Sequence, residues 1–429
     1  MIYEPQIECS DTESLEALQV LRLRRMISQY MSRIPPYRER LEDVFGTSLV
    51  DKLSDSELLN GISKIKPVFR DEYQSINQML LKALDRRLFY IDSSSGSTGS
   101  PKSRFCSVED DLHDTALSTR ALASFGVSCI DRVLTFDFAD LTYYTQFTKA
   151  MQDLGVKNSY YYCARSDFET SLREAMLWKP TTVITMPSIL KRCFNAFVDC
   201  CKQTPNVKRL IYFGEPLEND IRKYLLEQHA IECFSLYGST DVGWLAAECD
   251  AHDGMHLFAD SVLLHLFSET NSSELLEEGT ALFTSLFQTG KPNLRYSNGD
   301  KLCINRHACS CGRTTPRIYV SCRDTDIFAL LGMKISIKEI QHVIYESEEV
   351  SCYFQIELTQ SEEKTLFIVR LPRHLECAAE RITEGLENRI GLAFYTCLDL
   401  VKIRLDYVAN DFFTTRKIPA LIDNRGALS

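Results

Sequence analysis

The feature that most constrains the fold of this 429-residue chain is a rhythm between residues 105 and 236. Short β-rich runs recur there as "RVLTFDF", "SYYYC", "TTVITM", "RLIYF" and "IECFSL". Segments with helical spacing of apolar residues separate them, for example 187–203 and 217–228. A helix between successive strands must cover a sheet face, so the pattern predicts an α/β layer with parallel or mixed strands. After about residue 323 the rhythm changes. A helix-like "SIKEIQHVIYES" leads to strand-like "SCYFQIEL" and "TLFIVRL", then to a helical stretch over 373–390 and a strand over 400–407. That is an α+β unit of roughly a hundred residues, a size typical of one domain. The expected division is a large N-terminal domain, 1–322, and a small C-terminal domain, 323–429.

At the start of the chain, Ser10-x-x-Glu13 reads as a capping box. Leu15, Leu18, Leu21, Met26, Ile27 and Tyr30 would then share one face of a helix ending before Pro35-Pro36. A hydrophobic fraction of 45% provides for a large core. The formal net charge is −11 and no Lys/Arg-rich block stands out, which argues against a nucleic-acid partner. A small anion can still be held by local amides and cations. "MIYEPQIECSDTES" lacks the basic start and apolar core of a signal peptide, and no apolar run is long enough to span a bilayer. The sixteen cysteines are scattered without a compact disulfide framework and read as reduced thiols. A cytoplasmic protein without a membrane partner is the expectation.

The stretch "YIDSSSGSTGSPK" follows a short apolar run. Gly96 and Gly99 allow positive φ and close backbone approach to a ligand. Ser94, Ser95, Ser97 and Thr98 offer hydroxyls, the intervening amides can form an anion-binding nest, and Lys102 adds a cation. The spacing is not that of a Walker loop. Local chemistry alone leaves a phosphate loop and an ordinary surface turn both open, and a Gly/Ser linker is the third reading.

Five motifs in order raise the first reading. "SSSGSTGSPK" resembles the phosphate loop of the adenylate-forming superfamily, which includes acyl-CoA synthetases, luciferases and peptide-synthetase adenylation domains. "FGEPL" (213–217) is similar to the family's adenine-contacting turn, "LYGSTD" (236–241) to its Tyr-Gly-x-Thr-Glu segment, and "RYSNGD" (295–300) to its Tyr-Arg-Thr-Gly-Asp segment. "TTRKIPALIDNR" (414–425) resembles the segment carrying the mobile catalytic lysine. Within the superfamily, "LRRMISQYMSRIPPYRERLEDV", "CSCGRTTPRI" and the compact C-terminal unit resemble the phenylacetate-CoA ligase group.

The resemblance implies an AMP-forming acid–thiol ligase with ATP and Mg²⁺. A carboxylate attacks the α-phosphorus of ATP, giving an acyl-adenylate and pyrophosphate, and a thiol such as CoA then displaces AMP. Ser94, Ser95, Gly96, Ser97, Thr98, Gly99 and Lys102 would hold the β- and γ-phosphates, and Thr240 the α-phosphate. Asp241 stands where the family has a Mg²⁺-binding Glu, one methylene longer. Asp300 would accept the ribose hydroxyls. Gly214, Glu215, Pro216, Tyr237, Gly238 and Ser239 would line the adenine or substrate path. Arg323 matches an arginine ahead of the C-terminal domain, where the family's Gly is replaced by Cys322 and its hinge Asp by Thr325, between Asp324 and Asp326. Lys417 would be the cation of the first step, carried on a mobile C-terminal domain.

Some relatives in that group also bind structural zinc through a Cys…Gly-x-His pair and a Cys-x-Cys. Cys249, His256, Cys309 and Cys311 match those positions, with His252 and Cys303 as competing ligands and ordinary thiols as the plain alternative. Tyr143, Tyr144 and Phe147 could line a slot for an aromatic acid or belong to the core. The group's Gly-Gly stretch near this place is absent here. The partners implied are a small carboxylic acid and ATP, with CoA, a carrier-protein thiol or an amine as acceptor. A non-catalytic nucleotide-binding relative is the alternative of another class, and a monomer or homodimer is expected.

Overall fold

The computed structural model describes residues 2–46, 52–82, 89–93, 103–137, 141–164, 167–267, 277–323, 327–330, 333–344, 353–361, 364–409, 412–413 and 420–424. They fall into two compact units that divide between Cys322 and Arg323.

The first unit begins with helices. Asp11, not Ser10, caps the helix Thr12–Gln29: its carboxylate accepts the Ser14 N–H at 2.7 Å. The Ser10 hydroxyl instead turns back onto the Gln6 carbonyl. An ionised carboxylate is the stronger acceptor for a helix N-terminus, which explains the one-residue shift. The buried face is Leu15, Val20, Leu23, Met26 and Ile27, while Leu21 is 67% exposed. Pro35 opens the next helix, Pro35–Phe45, at its first position, where no amide donor is needed.

A hairpin follows, β1 (Tyr90–Ser93) against β2 (Ser103–Cys106), in register to Ser93↔Ser103. Then comes the alternation expected from sequence: β3 (Arg132–Asp137), β4 (Asn158–Cys163), β5 (Thr182–Thr185), β6 (Arg209–Phe213) and β7 (Glu232–Ser239). All neighbouring pairs in this set are parallel. Helices such as Val108–Ser124, Phe194–Gln203 and Asn219–His229 stand between or beside them. From β7 onward the sheet turns antiparallel through β8 (Gly243–Glu248), β9 (Met255–Leu257), β10 (Val262–Phe267), β11 (Glu278–Ser285), β12 (Tyr296–Asn305) and β13 (Arg317–Arg323). The spatial order is β10-β11-β12-β13-β9-β8-β7-β6-β5-β3-β4.

The second unit has a hairpin of β14 (Ile327–Leu330) and β15 (Met333–Ser336), then the helix Ile337–Ile344. A four-stranded sheet follows, built from β16 (Gln355–Ser361), β17 (Lys364–Pro372), β18 (Val401–Val408) and β19 (Leu421–Asp423) in the order β18-β17-β16-β19. Ile340, Val343, Ile356, Phe367, Val369, Ile382 and Leu386 form its core. The mixed α/β class expected from sequence is the one observed. No described helix is long and apolar enough to cross a membrane.

Candidate active site

Two of the motifs, "FGEPL" and "LYGSTD", stand at the C-terminal ends of β6 and β7, adjacent and parallel strands paired at Phe213↔Leu236, and "RYSNGD" leads into β12. In open α/β sheets this end collects ligands, because loops there diverge while the strands hold them rigidly. After β6 the chain turns at Gly214, whose φ of +78° suits glycine. Gly214 and Pro216 are exposed, Glu215 is half-buried, and Leu217 anchors the turn in the core.

β7 runs through Tyr237, Gly238 and Ser239 and is bulged between Tyr237 and Gly238 where it pairs with β8. A Cβ at Gly238 would meet the Gly243 carbonyl oxygen and the Trp244 ring, each at 2.7 Å. Gly243, with φ +90°, leaves room for the Arg104 guanidinium, whose atoms would stand 2.9 Å from a Cβ there. Arg104 is in turn fixed by a buried ion pair with Asp114, at 2.5 and 3.1 Å. The Ser239–Gly243 turn is thus shaped by backbone and a buried cation around Thr240, which is half-buried, and Asp241, which is 2% exposed.

Asp300 and Asp241 are held differently. Asp300 Oδ2 accepts the Tyr237 hydroxyl at 2.5 Å and the Asn298 amide at 2.7 Å, and its own N–H donates to Asn298 Oδ1 at 3.0 Å. The carboxylate is 1% exposed, so Tyr237 and Asn298 set its direction. Asp241 Oδ2 accepts the Tyr296 hydroxyl. Its main-chain carbonyl accepts Asn293 Nδ2 at 3.0 Å and the Tyr73 hydroxyl at 3.3 Å. Burial first, then the Asp241 charge, raises the pKa of Tyr296, which keeps its phenol a donor. Tyr73, Asn293, Tyr296 and Asn298 were not singled out from sequence. "SNGD" placed Asn298 two residues from Asp300, and that proximity was the available signal.

Ser94, Ser95, Gly96, Ser97, Thr98, Gly99, Lys102 and Lys417 lie outside the described residues. Arg323 ends β13, with its side chain outside them too. The side chains of Tyr143 and Tyr144 are likewise outside. Phe147 is fully buried against Phe213 and Trp244, with ring centroids 5.5 and 5.9 Å away, so its place is in the core.

A second cluster joins Cys249 after β8, His256 in β9, and Cys309 and Cys311 in the β12–β13 connection. Their ligand atoms all lie within 4.8 Å of one another. Cys249 and Cys309 Sγ are 3.8 Å apart, and Cys311 Sγ is 3.3 Å from His256 Nε2. Two thiolates on a tetrahedral zinc, with bonds of about 2.3 Å, stand about 3.8 Å apart. The donor set fits that metal. His256 Nδ1 lies 3.1 Å from the Thr315 carbonyl oxygen, the hydrogen bond that leaves Nε2 as the ligand lone pair. The competing ligands are elsewhere: His252 Nδ1 lies 3.4 Å from Arg222, and Cys303 Sγ lies 3.3 Å from Ser321 Oγ.

No protein-family model matches the chain. Among curated proteins, a phenylacetate-coenzyme A ligase of Thermus thermophilus is 25% identical over 93% of this chain and 95% of its own length. Another from Escherichia coli is 22% identical over 82% of this chain and 81% of its own length. Over most of its length the chain is thus similar to phenylacetate-CoA ligases. Among solved structures, a 2-hydroxyisobutyryl-CoA ligase in the postadenylation state, in complex with R3-HIB-AMP, superposes with a TM-score of 0.74. It covers 99% of this chain and 92% of its own, at 17% identity, which speaks to the fold. The expectation of an AMP-forming acid–thiol ligase agrees with the curated relatives.

Proposed function

We propose that this protein activates a carboxylic acid with ATP, forming an acyl-adenylate and releasing pyrophosphate, and then transfers the acyl group to a thiol, with CoA as acceptor. The observation that carries this reading is a pair of buried carboxylates, Asp241 in the β7–β8 turn and Asp300 in β12. Asp300 is aimed by Tyr237 and Asn298, and Asp241 is anchored by Tyr296, so each carboxylate is held by a tyrosine from the other's part of the sheet. A pair of neighbouring hydroxyls such as ribose presents two donors to a fixed carboxylate, the role proposed for Asp300. Asp241 is the proposed ligand of Mg²⁺, directly or through water, and the ion would neutralise charge on the phosphates. Thr240 would donate to the α-phosphate, and the serine–glycine loop with Lys102 would hold the leaving pyrophosphate.

Lys417 is the proposed cation for charge that develops in adenylation, with Arg323 marking the start of the unit that carries it. An aromatic acid is the proposed substrate, by likeness to relatives named for phenylacetate. The Cys249–His256–Cys309–Cys311 cluster is a proposed structural zinc site, closed by four protein ligands. A panel of aromatic and aliphatic acids, assayed for ATP-dependent pyrophosphate release with and without CoA, tests the reading. At least one acid should give release, and an aromatic one should be preferred. A preference for aliphatic acids would overturn the aromatic assignment alone. No release with any acid would leave a nucleotide-binding protein at most.

A further inference from the structure

Lys291 has no part in the roles above, yet it is fully buried. It lies in the connection between β11 and β12, directly after a rigid mount. Gly290 N–H donates to Asp110 at 2.8 Å, and a Cβ at Gly290 would stand 2.2 Å from the Phe105 carbonyl oxygen. The Lys291 Nζ sits 2.8 Å from the centroid of the Tyr73 ring and makes no hydrogen bond among the described residues. Burial drives its pKa well below the ordinary lysine value, and Asp241 pulls it back up. A buried ammonium without an acceptor is costly, so this position is not explained by stability.

What surrounds it is specific. Tyr73 stacks on Tyr296 with centroids 4.1 Å apart. The Tyr73 hydroxyl reaches two carbonyls, Ser103 at 3.1 Å and Asp241 at 3.3 Å. Asn77 also donates to the Ser103 carbonyl, at 3.1 Å. Ser103 is where the chain re-enters β2 after the serine–glycine loop. One tyrosine therefore joins the root of that loop to the backbone of Asp241, and Tyr296 on the same stack holds the Asp241 carboxylate.

We propose that Lys291 is a positioning residue for a nucleoside triphosphate and its divalent cation: seated on Tyr73, it fixes the Tyr73–Tyr296 stack that aligns Asp241 with the root of the serine–glycine loop. The proposal rests on the reading of Asp241 and that loop as the nucleotide site. The contact of Lys291 with the Tyr73 face holds the ring in one orientation.

Calorimetric titration with Mg·ATP, alongside thermal melts and steady-state kinetics, tests it. Lys291→Met keeps the volume and removes the charge. It should melt at the same temperature or higher, yet bind Mg·ATP about tenfold more weakly, the scale of one interaction with a charged group. The KM for ATP should rise while kcat at saturating ATP changes little. Tyr73→Phe keeps the ring but loses the bridge to Ser103 and Asp241, and should weaken binding similarly. Lys291→Met with a normal or higher melting temperature and unchanged Mg·ATP affinity would overturn the proposal. If Lys291→Met does not fold, unchanged affinity in Tyr73→Phe overturns it and weakened affinity supports it. Failure of the unsubstituted protein to bind Mg·ATP would instead sink the nucleotide-site reading, and this proposal with it.

Discussion

Asp300 can be tested on its own, because its neighbours define what a substitution removes. Asp300→Asn keeps the shape but replaces a charged acceptor with an amide facing the donors Tyr237 and Asn298. A hydrogen bond to a charged group contributes about 1.5–3 kcal/mol, and a factor of ten is about 1.4 kcal/mol. The expected outcome is a KM for ATP raised tenfold or more, read from steady-state kinetics, with Tyr237→Phe showing a smaller rise in the same direction. Unchanged KM in both would remove Asp300 from the nucleotide site. His113 predicts an acid sensitivity. Burial, with Arg22, Arg120 and Arg104 prevailing over Asp260, lowers its pKa to about 3. Its ring stacks on Phe287 and lies 2.7 Å from the Ser261 hydroxyl. Unfolded, the imidazole takes up a proton below about pH 6.5 while the folded one does not. This contribution to stability is therefore present above that pH and is lost as pH falls from about 6.5 towards 3. Melts at pH 7 and pH 5 should separate, and His113→Phe should narrow the gap.

At the scale of elements, the helix Val108–Ser124 shows how one side chain joins separate parts of the chain. Ser107 and Asp110 form a capping box, and Asp110 also accepts the N–H groups of Thr289 and Gly290 at 2.6 and 2.8 Å. Asp110→Ala strands buried donors at both places and should cost about 2–4 kcal/mol in denaturant unfolding. The cysteine–histidine cluster makes a parallel prediction. Thiolate ligands are bound in the folded state, so metal affinity becomes folding energy. Protein purified without chelators should carry about one zinc per chain. Cys309→Ser or Cys311→Ser should lower zinc content and melting temperature together, and zinc-free protein with unaltered melts would return these residues to ordinary thiols. Strands β3, β5, β6 and β7 were legible because their runs are apolar and bounded by helical spacing. The cap at Asp11 was missed because Ser-x-x-Glu and Asp-x-x-Ser overlap, offset by a single residue. The partners of the two site carboxylates were illegible for another reason: Tyr296 lies 55 residues from Asp241, and Tyr237 63 from Asp300. Only the sheet brings them together.

At the scale of the molecule, the two units carry separate cores. The short parallel strand β19, next to β16, was not foreseen, because three residues leave too little periodicity to read. If Lys417 acts on charge developing during adenylation, Lys417→Ala should abolish acyl-adenylate formation while leaving ATP binding largely intact, since only an interaction gained in the transition state changes kcat. Thioester formation from a supplied acyl-adenylate should survive. Equal loss in both half-reactions would make Lys417 structural. The central claim is that an acyl-adenylate forms at the Asp241–Asp300 site. Mass spectrometry of the protein incubated with Mg·ATP and an accepted acid, without CoA, tests it most directly. The account predicts an acyl-AMP in amounts matching pyrophosphate, consumed on addition of CoA, and absent when Asp300→Ala replaces the unsubstituted chain. ATP consumed without any acyl-AMP, or acyl-AMP formed equally well by Asp300→Ala, would contradict it.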